Sequence, residues 1–304
     1  MTAALSHDPL WPRAGDWPAL EEASAAGRLD AVLLGVPACR TSLSPTGADA
    51  TPGAVREALR RYSPTLLGPP PVDLAAALRL ADAGDVAEPD GSEGEARVRG
   101  RTAALTARTA LLIALGGDNS ITCATAQGAG AGGLITLDAH FDLRDGVSNG
   151  SPVRRLVDDG LDPTRIVQIG IADFADSAAY AQRAADLGIR VITLDELRLR
   201  GAHDVIAEAR EVAGRGGGGI HLDIDVDVCD RAVAPGCPAS VPGGLQAWEL
   251  RTLVRGLSAD AGVTSADIVE VDAAADAADG RTVRLAALCV LELLAGLHRR
   301  KVTV

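Results

Sequence analysis

Residues 134–144 read LITLDAHFDLR, and the change of character at Asp138 sets how the rest of the chain is read. Residues 134–137 form an apolar run of the kind expected of a strand covered on both faces. That run passes without a break into Asp138-Ala139-His140-Phe141-Asp142. In extended backbone the alternate spacing of 138, 140 and 142 places their side chains on one face. A second run, 220–224, passes in the same way into Asp225-Val226-Asp227, and a third, 110–115, into Gly116-Gly117-Asp118-Asn119-Ser120. Three predicted strands therefore end in residues able to ligate a metal, where open parallel sheets bind their ligands.

Working outward, strand-like runs recur at 30–36, 110–115, 133–137, 165–169, 190–194, 219–224 and 266–271. Helix-like segments lie between them, including 52–62, 151–159, 176–187, 204–212, 247–257 and 282–298, with Asp176-Ser177 a plausible N-cap. This alternation predicts parallel βαβ units, and hence an α/β fold of three layers with a largely parallel central sheet flanked by helices. No linker interrupts it, so residues 1–304 read as one domain, with 1–25 an N-terminal arm. The glycine-rich stretch 214–219 reads as a turn feeding a strand, and 85–94 as a polar surface loop. Neither is followed by the Lys-Ser/Thr of a phosphate cradle.

Composition narrows the partners. A net charge of -12 over 304 residues argues against nucleic acid. The five cysteines, at 39, 123, 229, 237 and 289, include no CxxC pair and suit a reducing cytoplasm. Residues 1–15 carry His7 and Asp8 where a secretion signal would need an apolar core. No stretch approaches the roughly 20 apolar residues that span a bilayer. The expectation is a cytoplasmic protein with a small-molecule partner.

Asp138, Asp142, Asp225 and Asp227 would bring four negative charges to the end of a buried sheet. That is prohibitive without compensation, and two divalent cations supply it. Oxygen ligands with an occasional imidazole suit manganese or magnesium better than zinc or copper. One DxHxD alone is weak evidence, since acidic strand ends often only face solvent; two such motifs after separate strands are much harder to dismiss.

With these segments in place the chain resembles the ureohydrolases, the arginase/agmatinase/formimidoylglutamase superfamily. Gly47-Ala48, Pro52 and Val55-Arg56 look like the family's early Gly-Ala…Gly-Pro…Ile-Arg segment. Residues 116–120 resemble GGDHS, 138–142 match DAHxD, and 222–230 resemble the second DxD…D signature followed by Gly243-Gly244-Leu245. Val269-Glu270-Val271-Asp272 resembles the late EVNP motif. The resemblance implies an arginase-like fold, a binuclear Mn²⁺ centre and a homo-oligomer, trimeric or hexameric. It implies that Asp138 and Asp225 bridge two metals, that Asp142 binds one, and that His140 with Asp227 binds the other. The remaining ligand position falls on Asn119, and Glu270 falls where the cationic end of an amidine is held. A water activated between the metals would attack the amidine carbon, with Asp142 handling the proton.

Two features bear on the substrate. Residues 138–144, ending in Arg144, look specifically like the formimidoylglutamase branch, and a guanidinium there suits a carboxylate tail. The competing reading of Arg144 is a solvated side chain or a partner for Asp145. Residues 149–154, from Asn149 to Arg154, are similar to that branch's Gly-Thr-Pro-Phe-Arg element. Arginases and agmatinases carry a His-Gly where this chain has Asn149-Gly150, and His7, His203, His221 and His298 lie outside the motifs. The expected reaction is manganese-dependent hydrolysis of N-formimidoyl-L-glutamate to L-glutamate and formamide, as in histidine degradation, with Arg144, Asn149 and Glu270 contacting substrate. The alternatives are another guanidino or amidine hydrolase, agmatinase- or arginase-like, or a catalytically silent family member serving as a binding subunit. A nucleophilic-cysteine enzyme built on Cys39 or Cys229 lacks an adjacent histidine.

Overall fold

The computed structural model describes residues 8–24 and 27–302. Its strands, in chain order, are β1 Leu29–Val36, β2 Thr65–Leu66, β3 Val72–Asp73, β4 Leu80–Asp85, β5 Thr109–Gly116, β6 Ala131–Leu137, β7 Ile166–Ile171, β8 Arg190–Thr193, β9 Gly219–Asp225 and β10 Val263–Val269. β2 and β3 make a small antiparallel ribbon. The other eight form one sheet in the order β4-β1-β5-β10-β9-β6-β7-β8, every neighbouring pair parallel.

Alternation along each strand divides the apolar residues between two layers. From β5, Leu111, Ile113 and Leu115 join a core with Val55, Leu253 and Val290, which come from the helices Thr51–Leu59, Ala247–Ser258 and Arg281–Val302. Leu112 and Ala114 point the other way, onto Val98, Leu105 and Ile121 from the helices Gly91–Thr106 and Ile121–Gly128. A further cluster on Leu134 and Ile166 sits beneath Val153 and Leu156 of the helix Pro152–Asp158. The three-layer α/β arrangement read from the sequence is the arrangement found, and each of the seven expected strand runs overlaps a strand of this sheet.

The departures have local causes. β4 escaped notice because LADAGD carries two aspartates and a glycine; at the sheet edge those aspartates pair with Arg56 at 2.7 Å and 2.5 Å. The stretch 85–94 is only partly a loop, since the helix Gly91–Thr106 begins inside it. That helix buries Gly94, Val98, Thr102 and Leu105, so a glycine and a threonine stand where an apolar stripe would have announced it. At the expected N-cap the roles divide. Ser177 caps the helix Ala178–Leu187 by accepting from the Tyr180 N–H, while Asp176 accepts from the Phe141 N–H at 2.8 Å. Within the arm, Ala14 is buried and donates to the Tyr62 carbonyl, and Ala19 bridges to Asp82. The rest of the arm, residues 1–7 with His7 and residue 25, lies outside the described residues.

One glycine fixes how the sheet turns into its loops. Gly170, near the end of β7, has φ +104°, and a Cβ there would sit 2.4 Å from Val228 Cγ2. The close approach lets Asp138 donate its N–H to the Ile169 carbonyl at 3.1 Å while the turn after β9 passes alongside. We expect Gly170→Ala to combine backbone strain with overpacking and to cost about 3 kcal/mol. Gly130→Ala, at φ +65° with open space around it, should cost only about 1 kcal/mol. Urea midpoints of the two variants check this, and equal losses would show that the Val228 contact is not what demands glycine.

Candidate metal centre and substrate pocket

The order β5-β10-β9-β6 puts four strand ends side by side. Asp138 follows β6, Asp225 ends β9, Glu270 follows β10, and Asn119 lies in the turn after β5. Segments 151 residues apart in the chain therefore meet directly: the Asn119 N–H donates to Glu270 Oε1 at 2.7 Å. Asp138, Asp142, Asp225, Asp227, Asn119 and Glu270 are all buried, while the His140 side chain keeps 24% of its exposure. Two overlapping sets of donor atoms result, Asp138 with His140 and Asp227, and Asp138 with Asp142 and Asp225, each within 4.8 Å. Asp138 belongs to both.

Such crowding perturbs every group. Burial, then the Asp227 carboxylate, pushes Asp138 up to about 7. Burial also raises Asp142 and Asp225 well above the carboxylate range, with Asp138 and Asp227 adding their repulsion. Glu270 is pushed to about 8 by burial, against the hydrogen bonds that Asn149 and Asn119 donate to it. One pair escapes. Although burial opposes it, the Asp227 and Asp138 carboxylates hold the His140 imidazolium up to about 12, and that cation, 2.7 Å away, keeps Asp227 low.

These residues fit divalent cations. Asp138 Oδ2 is fully buried and has no hydrogen-bond partner, a costly state for a lone carboxylate oxygen and an ordinary one for a ligand atom. The donor set is nearly all carboxylate oxygen with one imidazole, which favours a hard or borderline ion. Asn119 lies against Asp142 with its amide nitrogen toward that carboxylate. Nδ2 donates to Asp142 Oδ2 at 2.5 Å, while Oδ1 accepts from the Thr122 hydroxyl at 2.6 Å.

Next to the carboxylates opens a cavity of about 180 Å³ lined by His140, Asp142, Asp225, Asp227 and Glu270, and also by Arg144, Asn149 and Gly150. Asp145 does not engage Arg144; it pairs with Arg183 at 2.9 Å. Arg144 lies across Gly150, where a Cβ would come within 2.8 Å of its Cδ. Asn149 joins both sides of the pocket, donating to Glu270 Oε1 at 2.9 Å and accepting from the Leu43 N–H at 3.0 Å. Leu43, Ser44, Asp176, Tyr180, Pro238 and Ala239 also line it. Sequence reading missed these, and of them only Asp176 carried any signal, as a cap. Asp142 and Glu270 hold left-handed backbone, φ 52° and 59°, a strain that clusters at functional positions.

The outlying motif residues also converge. Asp272 accepts from the Gly47 N–H at 2.9 Å, tying the early segment to the late one. His221 is buried between Ser265 and Asp267. Burial raises the Cys39 and Cys229 thiols, the opposite of what a cysteine nucleophile needs.

A model of the arginase family matches residues 29–296. The formimidoylglutamase of Halalkalibacterium halodurans is 36% identical over 277 residues, which cover 87% of this chain and 86% of that protein. The crystal structure of formimidoylglutamase from Bacillus subtilis aligns with a TM-score of 0.88 at 31% identity, over 98% of this chain and 95% of that one. The Trypanosoma cruzi formiminoglutamase with Mn²⁺ aligns at 0.83 and 26% identity, over 95% and 99%.

The raised carboxyls give metal-free protein a defined pH response. Asp138 and Glu270 rise from 3.8 and 4.5 to about 7 and about 8, so between those limits the folded chain binds more protons than the unfolded one. Stability then falls as pH rises. His140 acts in the same sense above its ordinary 6.5, and the lowered Asp227 contributes only near and below 3.8. Chelator-treated protein should lose urea midpoint steadily from about pH 5.5 to about pH 8.5, and saturating Mn²⁺ should flatten the profile. A midpoint that rises over that range without metal would contradict these shifts.

Proposed function

The chain belongs to the arginase family, and on that footing we propose that it hydrolyses a linear amidine, N-formimidoyl-L-glutamate, to L-glutamate and formamide, with Mn²⁺ as its metal. The bond broken joins the formimidoyl carbon to the α-nitrogen. Water supplies the oxygen of formamide, and the released nitrogen takes up a proton. The observation that carries the reading is the polarity of the pocket. Glu270 and the aspartates line it, and Arg144, unclaimed by Asp145, brings a guanidinium to the same cavity for a carboxylate tail. A substrate with an amidinium head and carboxylates behind it matches that layout. The likeness to the formimidoylglutamases named above supports the same choice.

Asp138, Asp142, Asp225 and Asp227, with His140 and Asn119, would hold the two cations. When bound, the cations would supply Lewis acidity that makes hydroxide available near neutral pH. Glu270, steadied by Asn149, compensates the amidinium charge as the trigonal carbon becomes tetrahedral. Asp142, buried and raised, accepts a proton and returns it to the leaving nitrogen. The same reading covers one continuous domain and a homo-oligomer, trimeric or hexameric.

Incubating manganese-loaded protein with formimidoylglutamate, agmatine, arginine and guanidinobutyrate, and identifying the products, tests the substrate directly. Turnover of agmatine in preference to formimidoylglutamate would defeat the proposal. Arg144→Ala should raise KM for formimidoylglutamate about 10- to 100-fold through loss of a charge-assisted pair, and should affect agmatine, which has no carboxylate, far less. Equal losses on both would remove Arg144 from carboxylate recognition. Asp225→Asn should deplete manganese at both positions; elemental analysis showing an undiminished content would rule out a bridging role.

A further inference from the structure

Behind Asn119 lies a buried polar chain that the reaction does not use. The Thr122 hydroxyl is 2.6 Å from Asn119 Oδ1 and 3.0 Å from Asp267 Oδ2. Asp267 Oδ2 is also 3.1 Å from the Thr125 hydroxyl and 3.0 Å from His221 Nε2. Thr122, Thr125, His221, Asp223 and Asp267 are all completely buried. Apart from the contact between the Asp223 and Asp267 carboxyls, Asp267 Oδ1 and both oxygens of Asp223 meet no donor, so acceptor capacity is in surplus here.

A hydroxyl has one proton to donate and can also accept. With the amide as it stands, Thr122 has one proton for two acceptors, Asn119 Oδ1 and Asp267 Oδ2, and Asn119 spends its N–H on Asp142. An amide nitrogen has no free lone pair for a cation, so Asn119 can serve a metal only through Oδ1. Turning the amide over brings Nδ2 to Thr122, which must then accept and needs another destination for its own proton. Asp267 Oδ2 is already in place to take it.

We propose that Thr122, with Asp267 behind it, is a two-way positioning residue that lets the Asn119 amide exchange its hydrogen bond to Asp142 for metal ligation. An imidazole at 119 would need no such exchange; a carboxamide does. The inference rests on the reading of Asn119 as a metal-facing residue, and the test separates the two.

The experiment is calorimetric titration of metal-free protein with Mn²⁺ alone, without substrate, beside a thermal melt of each variant. Asn119→Ala should weaken one manganese site; if both sites are unchanged, Asn119 is no ligand and the inference falls with that reading. Given that weakening, Thr122→Val should reduce affinity at the same site by about tenfold and leave the other within about twofold, as loss of an outer partner to a ligand does. Thr122→Ser, which keeps the hydroxyl, should restore wild-type affinity. Thr122→Ala removes the hydroxyl with less bulk, so the comparison with serine stands even where the valine variant misfolds. The deciding arm is the Asn119→His background, in which Thr122→Val should have little effect on either site. An undiminished loss there, or equal weakening of both sites in the single variant, would assign Thr122 a merely structural role and overturn the proposal.

Discussion

Asp138, Asp142, Asp225, Asp227 and Glu270 repel one another from buried positions at the strand ends, and the protein around them is arranged to tolerate that repulsion until a cation relieves it. The raised carboxyls and the His140–Asp227 ion pair are two ways in which the chain carries the strain by itself. Both are temporary solutions chemically, because a raised carboxyl is a poor ligand while it keeps its proton. Metal binding has to displace protons from the cluster, so affinity and pH are linked by the same crowding that makes the site. The left-handed backbone at Asp142 and Glu270 stores part of the cost where the groups must converge.

The sheet order makes this convergence possible. β5, β10, β9 and β6 are adjacent, so their carboxyl ends present Asn119, Glu270, Asp225 and Asp138 as neighbours. The apolar side chains of these strands fill two layers, leaving the strand termini as the nearest place for polar groups to gather. Rigid strands then position the ligands, while the loops bearing Leu43 and Arg144 and the first turn of the helix Ala178–Leu187, with Tyr180, shape the cavity beside them.

The central strands and the acids gathered at their ends were legible because each depends on a local pattern: a continuous apolar run followed by alternating acids. The edge strand β4 was not, since its aspartates answer to Arg56, a partner given only by the tertiary fold. The helix Gly91–Thr106 was hidden because packing against Pro89 requires a glycine at 94, where a Cβ would approach within 2.2 Å. Arg144 shows the limit most plainly. Its sequence neighbour Asp145 was as good a partner on paper as any substrate, and only the position of Arg183 removes that competitor. The orientation of the Asn119 amide lies further still from the sequence, in the meeting of one hydroxyl with a carboxylate 145 residues away.

The interleaving of strands also bears on how the molecule is made. β5 and β6 are early in the chain, yet β10 and β9 separate them in the sheet. A chain emerging from the ribosome exposes the apolar edges of β5 and β6 until the later strands arrive to lie between them. β10, which lies between β5 and β9, is made after every metal-facing residue, so the strand ends that bear Asn119 and Asp225 come together only once it is in place. Metallation of this protein is then an event of the finished polypeptide, and the ion pool it samples is the one it meets after release.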